Sequence, residues 1–351
     1  MYIRQATTDD NEELQTLQAR CPVGTTLIVS TVNTPDFFAR AKAYESYKVF
    51  VACEDNRIVG SAACAVRKAI VNSNTCQVGY EFQYFTSPDL RKKGIAGQLH
   101  QHIEHYFVQS GVALSYLIVI EGNIPAIRVF EGQGFSLCRT LIMPALLVFK
   151  QKSVPDTGKV RPITPEDFPA VADLLNETWQ GHQLYEPTSP DALAQFIHRM
   201  PVFAFENLLV LEYQGKIVAC IAYWDWHRIT RVTVESLSPK MQRIALLMNA
   251  ANVFRLTPKP PKPGDVLKQM VLTTIGFKDP ALFAVLIRYM HNRALRTGIE
   301  QIFCVCEQGH KMLSGLKGIF RIDTKVYLYV KPLQPNEALS DKPVFIDGID
   351  L

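Results

Sequence analysis

The chain repeats one short pattern, and this repeat limits the folds that its 351 residues can adopt. The segment Ile-Arg-Gln-Ala-Thr-Thr-Asp-Asp at residues 3–10 is echoed by Val-Arg-Pro-Ile-Thr-Pro-Glu-Asp at residues 160–167. Each segment predicts a short strand, a capping residue and an acidic first helical turn. Residues 49–60 and 208–219 form a second matching pair, with apolar runs on both sides of a polar turn. We therefore predict two copies of one fold, joined head to tail.

A polar, turn-rich segment at residues 151–159 lies between the two copies. Because 351 residues is long for one compact core, we predict one domain over residues 1–152 and another over residues 153–351. In the first copy the periodicity of apolar residues predicts several long strands with interleaved helices, which is a mixed α/β domain. Its predicted helices are 9–19, 35–44, 94–109 and 123–132, and its predicted strands are 2–7, 47–54, 57–69, 75–86, 114–120 and 135–150.

The composition is that of an ordinary soluble globular protein, with 48% hydrophobic and 20% charged residues. The formal charge of +4 is too small and too scattered to predict binding of nucleic acid. No run of about eighteen apolar residues predicts a membrane span, and the first residues do not resemble a secretion signal. We therefore expect a cytoplasmic protein, a monomer or a homodimer, with no nucleic-acid or membrane partner.

A strand, a basic loop and a helix follow one another at residues 82–97. The apolar strand runs to Thr86, the run Arg-Lys-Lys occupies residues 91–93, and a helical pattern begins at Gly94. Backbone N–H groups at a helix start have no partner within the helix, and the helix dipole adds partial positive charge there. This order of elements predicts a binding site for a pyrophosphate group.

The spacing Arg91-x-x-Gly94-x-Ala96 resembles the Arg/Gln-x-x-Gly-x-Gly/Ala signature of the GCN5-related N-acetyltransferase (GNAT) family. The resemblance implies a mixed-sheet α/β (α+β) fold and two tandem acyl-CoA N-acyltransferase domains. It also implies acetyl-CoA as co-substrate, with the pantetheine arm between strands 75–86 and 114–120. The residues that the resemblance assigns to coenzyme A are Phe85, Thr86, Ser87, Arg91, Lys92, Lys93, Gly94, Ile95, Ala96, Gly97, Asn123 and Phe130.

The segment that begins at Asn123 resembles the family's downstream motif Asn-x-x-Ala-x-x-x-Tyr-x-x-x-Gly-Phe. The resemblance implies that Asn123 caps a helix and contacts the pantetheine. Where many members have a tyrosine that protonates the leaving thiolate, this chain has Phe130, which cannot donate a proton. Another group or water must protonate the thiolate, or the thiolate leaves without assistance.

Three residues are candidates for proton transfer. A lysine-like amine has a pKa of about 10.4, so it must lose a proton before it attacks a thioester. Glu81 is the first candidate base, directly or through a water, and its alternative interpretation is a salt-bridged or edge glutamate. Glu121, which follows the other strand of the pair, is the second candidate base. Tyr84 is a candidate general acid.

The cysteines and histidines do not predict a metal site. The eight cysteines show no Cys-x-x-Cys pair and no Cys/His cluster of the kind that binds zinc. His100, His102 and His105 lie on one predicted helix, where only His102 and His105 share a face. We interpret the three as part of a solvated helix surface.

The second copy retains the outline of the first and lacks the coenzyme motif. Strand 266–277 leads to helix 281–297, and at their junction Asp279 adds negative charge while Pro280 removes an amide donor. We predict a degenerate domain that does not bind coenzyme A and serves packing and acceptor recognition, with a long hairpin at residues 216–235. The whole arrangement resembles that of plant Hookless-like N-acetyltransferases and prokaryotic tandem acetyltransferases.

The function that this resemblance implies is transfer of an acetyl group from acetyl-CoA to a primary amine of a small molecule by direct attack. A cysteine intermediate is not expected, because no Cys-His-Asp set accompanies the loop. Two alternatives remain open. One is acetylation of a protein or peptide amine, and the other is an acyl-CoA-binding sensor without turnover.

Overall fold

The computed structural model describes residues 1–254, 256–335 and 337–351. The strands are β1 Tyr2–Gln5, β2 Leu27–Asn33, β3 Ser46–Glu54, β4 Arg57–Val71, β5 Asn74–Thr86, β6 Leu114–Ile120, β7 Ser136–Leu147, β8 Lys159–Pro162, β9 Leu208–Tyr213, β10 Lys216–Trp224, β11 Thr230–Leu237, β12 Val266–Leu267, β13 Gln269–Phe277, β14 Gln301–Phe303, β15 Cys306–Glu307 and β16 Arg321–Pro332. The α-helices are α1 Asn11–Ala19, α2 Ile95–Gln109, α3 Ile124–Gly132, α4 Phe168–Thr178, α5 Pro190–Arg199, α6 Pro239–Asn252, α7 Pro280–Thr297 and α8 Met312–Gly315.

One large mixed sheet runs through both halves of the chain, and its strand order is symmetric. The order is β1-β3-β4-β5-β6-β16-β7-β14-β13-β10-β9-β8. Each strand that residues 1–152 contribute to this order has a counterpart from residues 153–351 at the same distance from the centre of the sheet. The fold is therefore the predicted mixed α/β fold with a large mixed sheet.

The last strand of each half completes the sheet of the other half. Strand β16 pairs with β6 and β7, so a strand from the end of the chain lies within the first half. Strand β7 in turn pairs with β14 and β15 of the second half. The connecting residues 151–158 contain no helix or strand. This exchange could not be predicted from the sequence, because the apolar pattern of a strand does not show which half of the sheet the strand joins.

The repeated segments at the start of each half adopt the same conformation, as predicted. The Arg4 guanidinium donates to both oxygens of Asp10, at 2.7 Å each, and the Thr7 N–H donates to the same carboxylate. In the second half Arg161 and Asp167 make the equivalent pair at 2.6 and 2.9 Å. The bonds from Arg161, together with those from Thr164, hold the pKa of Asp167 at about 2.

Loss of either carboxylate should destabilise the protein in a pH-dependent way. Because the pKa of Asp167 is lowered in the folded state, its contribution is fully present above its ordinary value of 3.8 and disappears as the pH falls through about 2. We expect Asp167→Asn to lower the free energy of unfolding at pH 7 by about 1–2 kcal/mol, as for other lost helix caps. We expect Asp10→Asn to lower the free energy of unfolding in the same way. Thermal denaturation between pH 2 and 7 measures both effects; a difference from the wild type that stayed constant down to pH 2 would contradict them.

Two predicted elements of the sequence analysis are wrong. The predicted helix at 35–44 consists of two separate 3-10 turns, Phe37–Ala39 and Ala41–Ala43. The predicted hairpin at 216–235 does not form, because β10 belongs to the large sheet. Strand β11 pairs instead with β12 and with β2, a strand that the sequence analysis missed. The resulting three-stranded sheet joins the two halves.

Candidate active site

A cleft opens where two parallel strands of the first half separate. Strands β5 and β6 pair at only three positions, the last of which is Tyr80 opposite Tyr116. Beyond this point β5 continues to Thr86 beside β4, and β6 continues to Ile120 beside β16. Residues 81–86 and 117–120 are therefore the two walls of the cleft. This is the strand pair between which the family resemblance places the pantetheine arm.

The basic loop lies at the end of the first wall. Gly94 is the N-cap of α2 and has a φ of 79°, a left-handed conformation that favours glycine. A Cβ atom at Gly94 would meet no atom within 4 Å, so the space in front of the loop is open. The first N–H groups of α2 have no side-chain cap. The cationic residues 91–93 are exposed, and this arrangement fits a phosphate group.

Glu81 is the first residue past the point where the strands separate, and its carboxylate is buried. Its side chain has 0% exposure, and neighbouring side chains form hydrogen bonds to its carboxylate. It accepts hydrogen bonds from the Ser115 hydroxyl at 2.7 Å and from the Tyr84 hydroxyl, and it contacts His100 Nδ1 at 3.0 Å. The structure thus brings Glu81 and Tyr84 together, two of the three predicted proton-transfer residues.

His100 extends this network from the buried carboxylate toward the surface. Its Nε2 lies 3.0 Å from a carboxylate oxygen of Glu104 and 3.4 Å from Lys331 Nζ. The Glu104 side chain is 32% exposed, so the path from Glu81 ends at solvent. The interpretation of all three histidines as a solvated surface is wrong for His100, which is fully buried. Within the described residues, no three His, Cys, Asp or Glu side chains could hold a metal ion together.

Tyr84 packs against Phe130, the residue at the position where the family motif has a tyrosine. The two rings meet edge to face with their centroids 5.0 Å apart. Burial, and then the adjacent charge of Glu81, hold the pKa of Tyr84 well above its ordinary value. Tyr84 is therefore protonated at neutral pH, and its hydroxyl is hydrogen-bonded to a carboxylate.

The other predicted residues lie apart from this network. Glu121 is exposed after the end of β6, where it accepts from the Tyr327 hydroxyl at 3.0 Å and lies 3.8 Å from Lys325 Nζ. Asn123 caps α3 as expected, since its side chain accepts from the Ala126 N–H at 3.4 Å.

A cavity of about 260 Å³ adjoins the ends of both cleft walls; we call it the acceptor cavity. Residues of both halves line it, and they include Gln83, Phe85, Ile120, Arg40, Trp226 and Phe303. It lies on the face of the sheet that α1 covers, because Gln18 of that helix is also part of its wall. Glu81 points to the opposite face, where it meets His100 of α2.

A larger cavity of about 570 Å³ lies between the halves, away from the basic loop. It is lined by Gln77 near the start of β5 and by Ser110, just after the end of α2. The loop begins at the opposite ends of these two elements. We therefore assign the acceptor cavity, rather than the larger one, to the candidate site.

The equivalent cleft of the second half is filled by the end of the chain. Strands β13 and β14 also separate after three pairs, at Val271 opposite Phe303. Asp347 accepts from the Thr273 hydroxyl and, at 3.2 Å, from the Thr274 N–H. A Cβ atom at Gly348 would come within 1.9 Å of the Leu272 carbonyl oxygen, which shows how closely this segment packs against β13.

The helix start of the second half also differs from that of the first. The Asp279 side chain caps α7 by accepting from the Ala281 N–H at 2.6 Å. Pro280 contributes no N–H at the first helical position. The N-terminus of α7 is therefore capped by the Asp279 carboxylate, whereas the N-terminus of α2 has no side-chain cap.

Known proteins resemble both the sequence and the fold. Residues 12–135 match the acetyltransferase (GNAT) family. No curated protein matches the sequence significantly. No helix of the described residues is long and apolar enough to cross a membrane.

Solved structures are similar over nearly the whole chain. Saccharomyces cerevisiae N-myristoyltransferase with bound myristoyl-CoA is 13% identical, with a TM-score of 0.65 over 98% of this chain and 89% of that one. A GCN5-related N-acetyltransferase from Sphaerobacter thermophilus is 14% identical, with a TM-score of 0.57 over 95% and 96% of the two chains. These likenesses confirm the fold, and the family match covers the cleft and its loop. The chain therefore shares the fold of these acyltransferases, and residues 12–135, which include the cleft and its loop, match the acetyltransferase (GNAT) family.

Proposed function

We propose that the protein transfers an acetyl group from acetyl-CoA to a primary amine of a small molecule by direct attack. The observation that carries this proposal is the cleft between β5 and β6, which ends at an open helix start and an exposed cationic loop. In this proposal the loop holds the pyrophosphate, and residues 85–87 and Asn123 contact the pantetheine.

We further propose a division of labour between residues 1–152 and 153–351. Residues 1–152 hold acetyl-CoA. The second half does not, because Asp347 occupies its cleft and Asp279 caps its helix. Its role is to complete the sheet and to supply one side of the acceptor cavity, including Trp226 and Phe303. A tandem arrangement like that of plant Hookless-like N-acetyltransferases is part of this proposal.

Tyr84 is our candidate for the proton donor to the leaving thiolate. It contacts Phe130, so its hydroxyl is a substitute for the one that Phe130 lacks. A thiol has a pKa near 8.5, below the raised pKa of Tyr84, so Tyr84 gives its proton to the thiolate only as another proton returns to the tyrosine oxygen. Glu81 orients the hydroxyl, and the path through His100 and Glu104 returns a proton from solvent.

In this assignment Glu81 assists protonation of the leaving thiolate and does not act as the base that deprotonates the amine. The carboxylate faces away from the acceptor cavity and is already bonded to three groups. The amine therefore has to lose its proton to water or to another group that faces the acceptor cavity. Glu121, held by Lys325 and Tyr327, lies outside the lining of the acceptor cavity and is therefore a weaker candidate base than water.

Two features favour a short acyl group and a small acceptor. The rings of Tyr80 and Tyr116 stack with centroids 4.9 Å apart where the strands meet, and this closes the sheet just beyond the cleft. The acceptor cavity, at about 260 Å³, suits a small molecule rather than a length of peptide.

Titration with acetyl-CoA, followed by turnover with a panel of amines, tests the proposal. We expect one acetyl-CoA to bind per chain and free coenzyme A to be released only when a suitable amine is present. Preference for myristoyl-CoA or for a peptide amine would replace the acetyl or small-molecule part of the proposal. Binding without release for any amine would support a sensor instead.

His100 should affect catalysis without affecting coenzyme binding. We expect His100→Gln to lower kcat about 10-fold, less than the loss of a direct proton donor, and to change the shape of its pH profile. The KM for acetyl-CoA should stay the same. His102→Gln, on the exposed face of the same helix, is the control and should change neither quantity. An equal effect of both substitutions would show that the network carries no proton.

A further inference from the structure

We propose that the acceptor cavity binds a primary amine with an apolar, preferably aromatic, body that also carries a carbonyl or carboxylate group. In this proposal Gln83 and Arg40 recognise that group, while the aromatic wall holds the body. The inference rests on the proposed function, because it names the class of acceptor for the same site.

Gln83 is the strongest observation. Its side chain is buried, with 9% exposure, and neither its amide nitrogen nor its amide oxygen has a hydrogen-bond partner in the described structure. A buried amide without partners costs free energy, so such groups in native proteins call for an explanation. Gln83 lines the acceptor cavity, and in this proposal its side chain turns so that a polar ligand there supplies the missing partners.

Two neighbouring polar side chains, in contrast, have hydrogen-bond partners. Asn33 accepts from Gln18 at 3.3 Å and from the Thr230 hydroxyl at 3.1 Å. Gln269 donates to Gln301 at 2.9 Å. Within the described residues, the Gln83 amide is therefore unbonded, while the side chains of Asn33 and Gln269 beside the same cavity are bonded.

The backbone explains how Gln83 comes to face the cavity. The pairing of β4 with β5 skips a position, since Ser61 lies opposite Phe85 and Ala63 opposite Phe82. This bulge gives Gln83 a φ of 52°, which is uncommon for a residue other than glycine. Bulges re-aim side chains and are frequent beside active sites. The bulge thus lies at the residue that lines the cavity.

Arg40 supplies a second free donor. Its Nη2 donates to the Tyr80 hydroxyl at 3.1 Å and to the Asp350 carbonyl oxygen at 3.2 Å. Its Nε is buried and has no partner in the described structure. The guanidinium also lies 5.9 Å from the ring of Trp226 and is fixed there. A rigid, positively charged N–H donor favours a carbonyl or carboxylate oxygen.

The remaining wall determines the rest of the ligand. It is formed largely by apolar side chains, among them Phe85, Met143, Trp226 and Phe303. No Asp or Glu side chain of the described residues lines the cavity, and Arg40 is its one charged side chain; Leu351, the last residue of the sequence, also lines it. A polyamine with several positive charges is therefore disfavoured, whereas an aromatic amine with a carbonyl or carboxylate group fits.

In the second half, a carboxylate oxygen of the chain binds at the position equivalent to Gln83. Thr274 is the counterpart of Gln83, with a φ of 49° at the bulge between β10 and β13. Its N–H donates to the Asp347 carboxylate, so the bulge residue of that half already has an acidic partner. The described residues provide no such partner for the Gln83 side chain, and in this proposal an external ligand takes that place.

The experiment compares three probes with one ring and one primary amine: phenylalanine, phenylalaninamide and phenethylamine. We expect kcat/KM with acetyl-CoA to be at least about 10-fold higher for the first two, a difference of about 1.4 kcal/mol. Spermidine should be the poorest acceptor. Equal or better use of phenethylamine or spermidine would overturn the proposal.

Gln83→Leu tests the residue directly. We expect this variant to lose the preference for carbonyl-bearing probes and to keep its melting temperature or raise it, because it removes an unsatisfied buried amide. Gln77→Leu, on the same strand and outside the acceptor cavity, is the control and should keep the preference. A preference that survives Gln83→Leu would overturn the proposal.

A binding measurement without acetyl-CoA separates this proposal from the proposed function. N-acetylphenylalanine should bind the wild type at least about 10-fold more tightly than N-acetylphenethylamine, and Gln83→Leu should abolish the difference. If neither compound binds, or both bind equally, the acceptor class is wrong even when acetyl-CoA binds. If acetyl-CoA does not bind, the proposed function fails independently of this result.

Discussion

Replacement of Gly94 by glutamate should abolish binding of acetyl-CoA. The residue caps α2 in a left-handed conformation with a φ of 79°, which a side chain adopts only with strain. The new carboxylate would also place a negative charge in front of the helix start, where the pyrophosphate is proposed to bind. We expect the affinity for acetyl-CoA to fall at least about 100-fold, which corresponds to about 2.7 kcal/mol.

The chain offers a matched control for this substitution. Gly111, just past the end of the same helix, has a φ of 70°, and a Cβ atom there would also meet nothing within 4 Å. Gly111→Glu therefore imposes the same backbone strain and the same charge at the opposite end of α2. We expect it to bind acetyl-CoA as the wild type does in calorimetric titration. If Gly94→Glu bound acetyl-CoA equally well, the loop would not be the coenzyme site.

Replacement of Tyr84 by phenylalanine should remove the proton donor and leave coenzyme binding intact. We expect kcat to fall about 100-fold or more, as for other lost general acids. The KM for acetyl-CoA should change little, because the hydroxyl is bonded to Glu81 rather than aimed at the loop. Steady-state kinetics with a saturating amine measures both quantities.

A second substitution can restore the lost hydroxyl from the other ring of the pair. Phe130→Tyr in the Tyr84→Phe background returns a tyrosine to the position that the family motif predicts, and we expect it to recover part of kcat. Because burial raises the pKa of Tyr84, the wild type should not lose kcat on account of this residue as the pH rises through about 10. An unchanged kcat in Tyr84→Phe would exclude Tyr84 as the acid.

Local patterns in the sequence predicted most of the first half of the fold. The strand–loop–helix at residues 82–97 and the paired Thr-x-x-Asp caps depend on neighbours within a few residues, and both form as expected. The exchange of β7 with β16 and the pairing of β2 with β11 depend on contacts far apart in sequence. Such pairings follow from packing of the whole chain, which local patterns do not encode.

Only part of the candidate site could be predicted from the sequence. Glu81 and Tyr84 could be predicted because they lie on the strand that leads into the coenzyme loop. His100 was missed because helical periodicity alone did not show that a carboxylate on β5 lies beside that turn of α2. Its position one residue after the buried Leu99 was the available signal. The unpaired Gln83 could not be found, since the absence of partners is a property of the three-dimensional structure.

The most direct test of the central claim is mass spectrometry after incubation with acetyl-CoA and a metabolite extract. An N-acetyltransferase will add 42 Da, the mass of an acetyl group in place of a proton, to at least one small primary amine. The product should appear with the wild type and with Gly111→Glu, and it should be absent with Gly94→Glu. Binding of acetyl-CoA without any such product, or formation of the product by Gly94→Glu, would contradict the account.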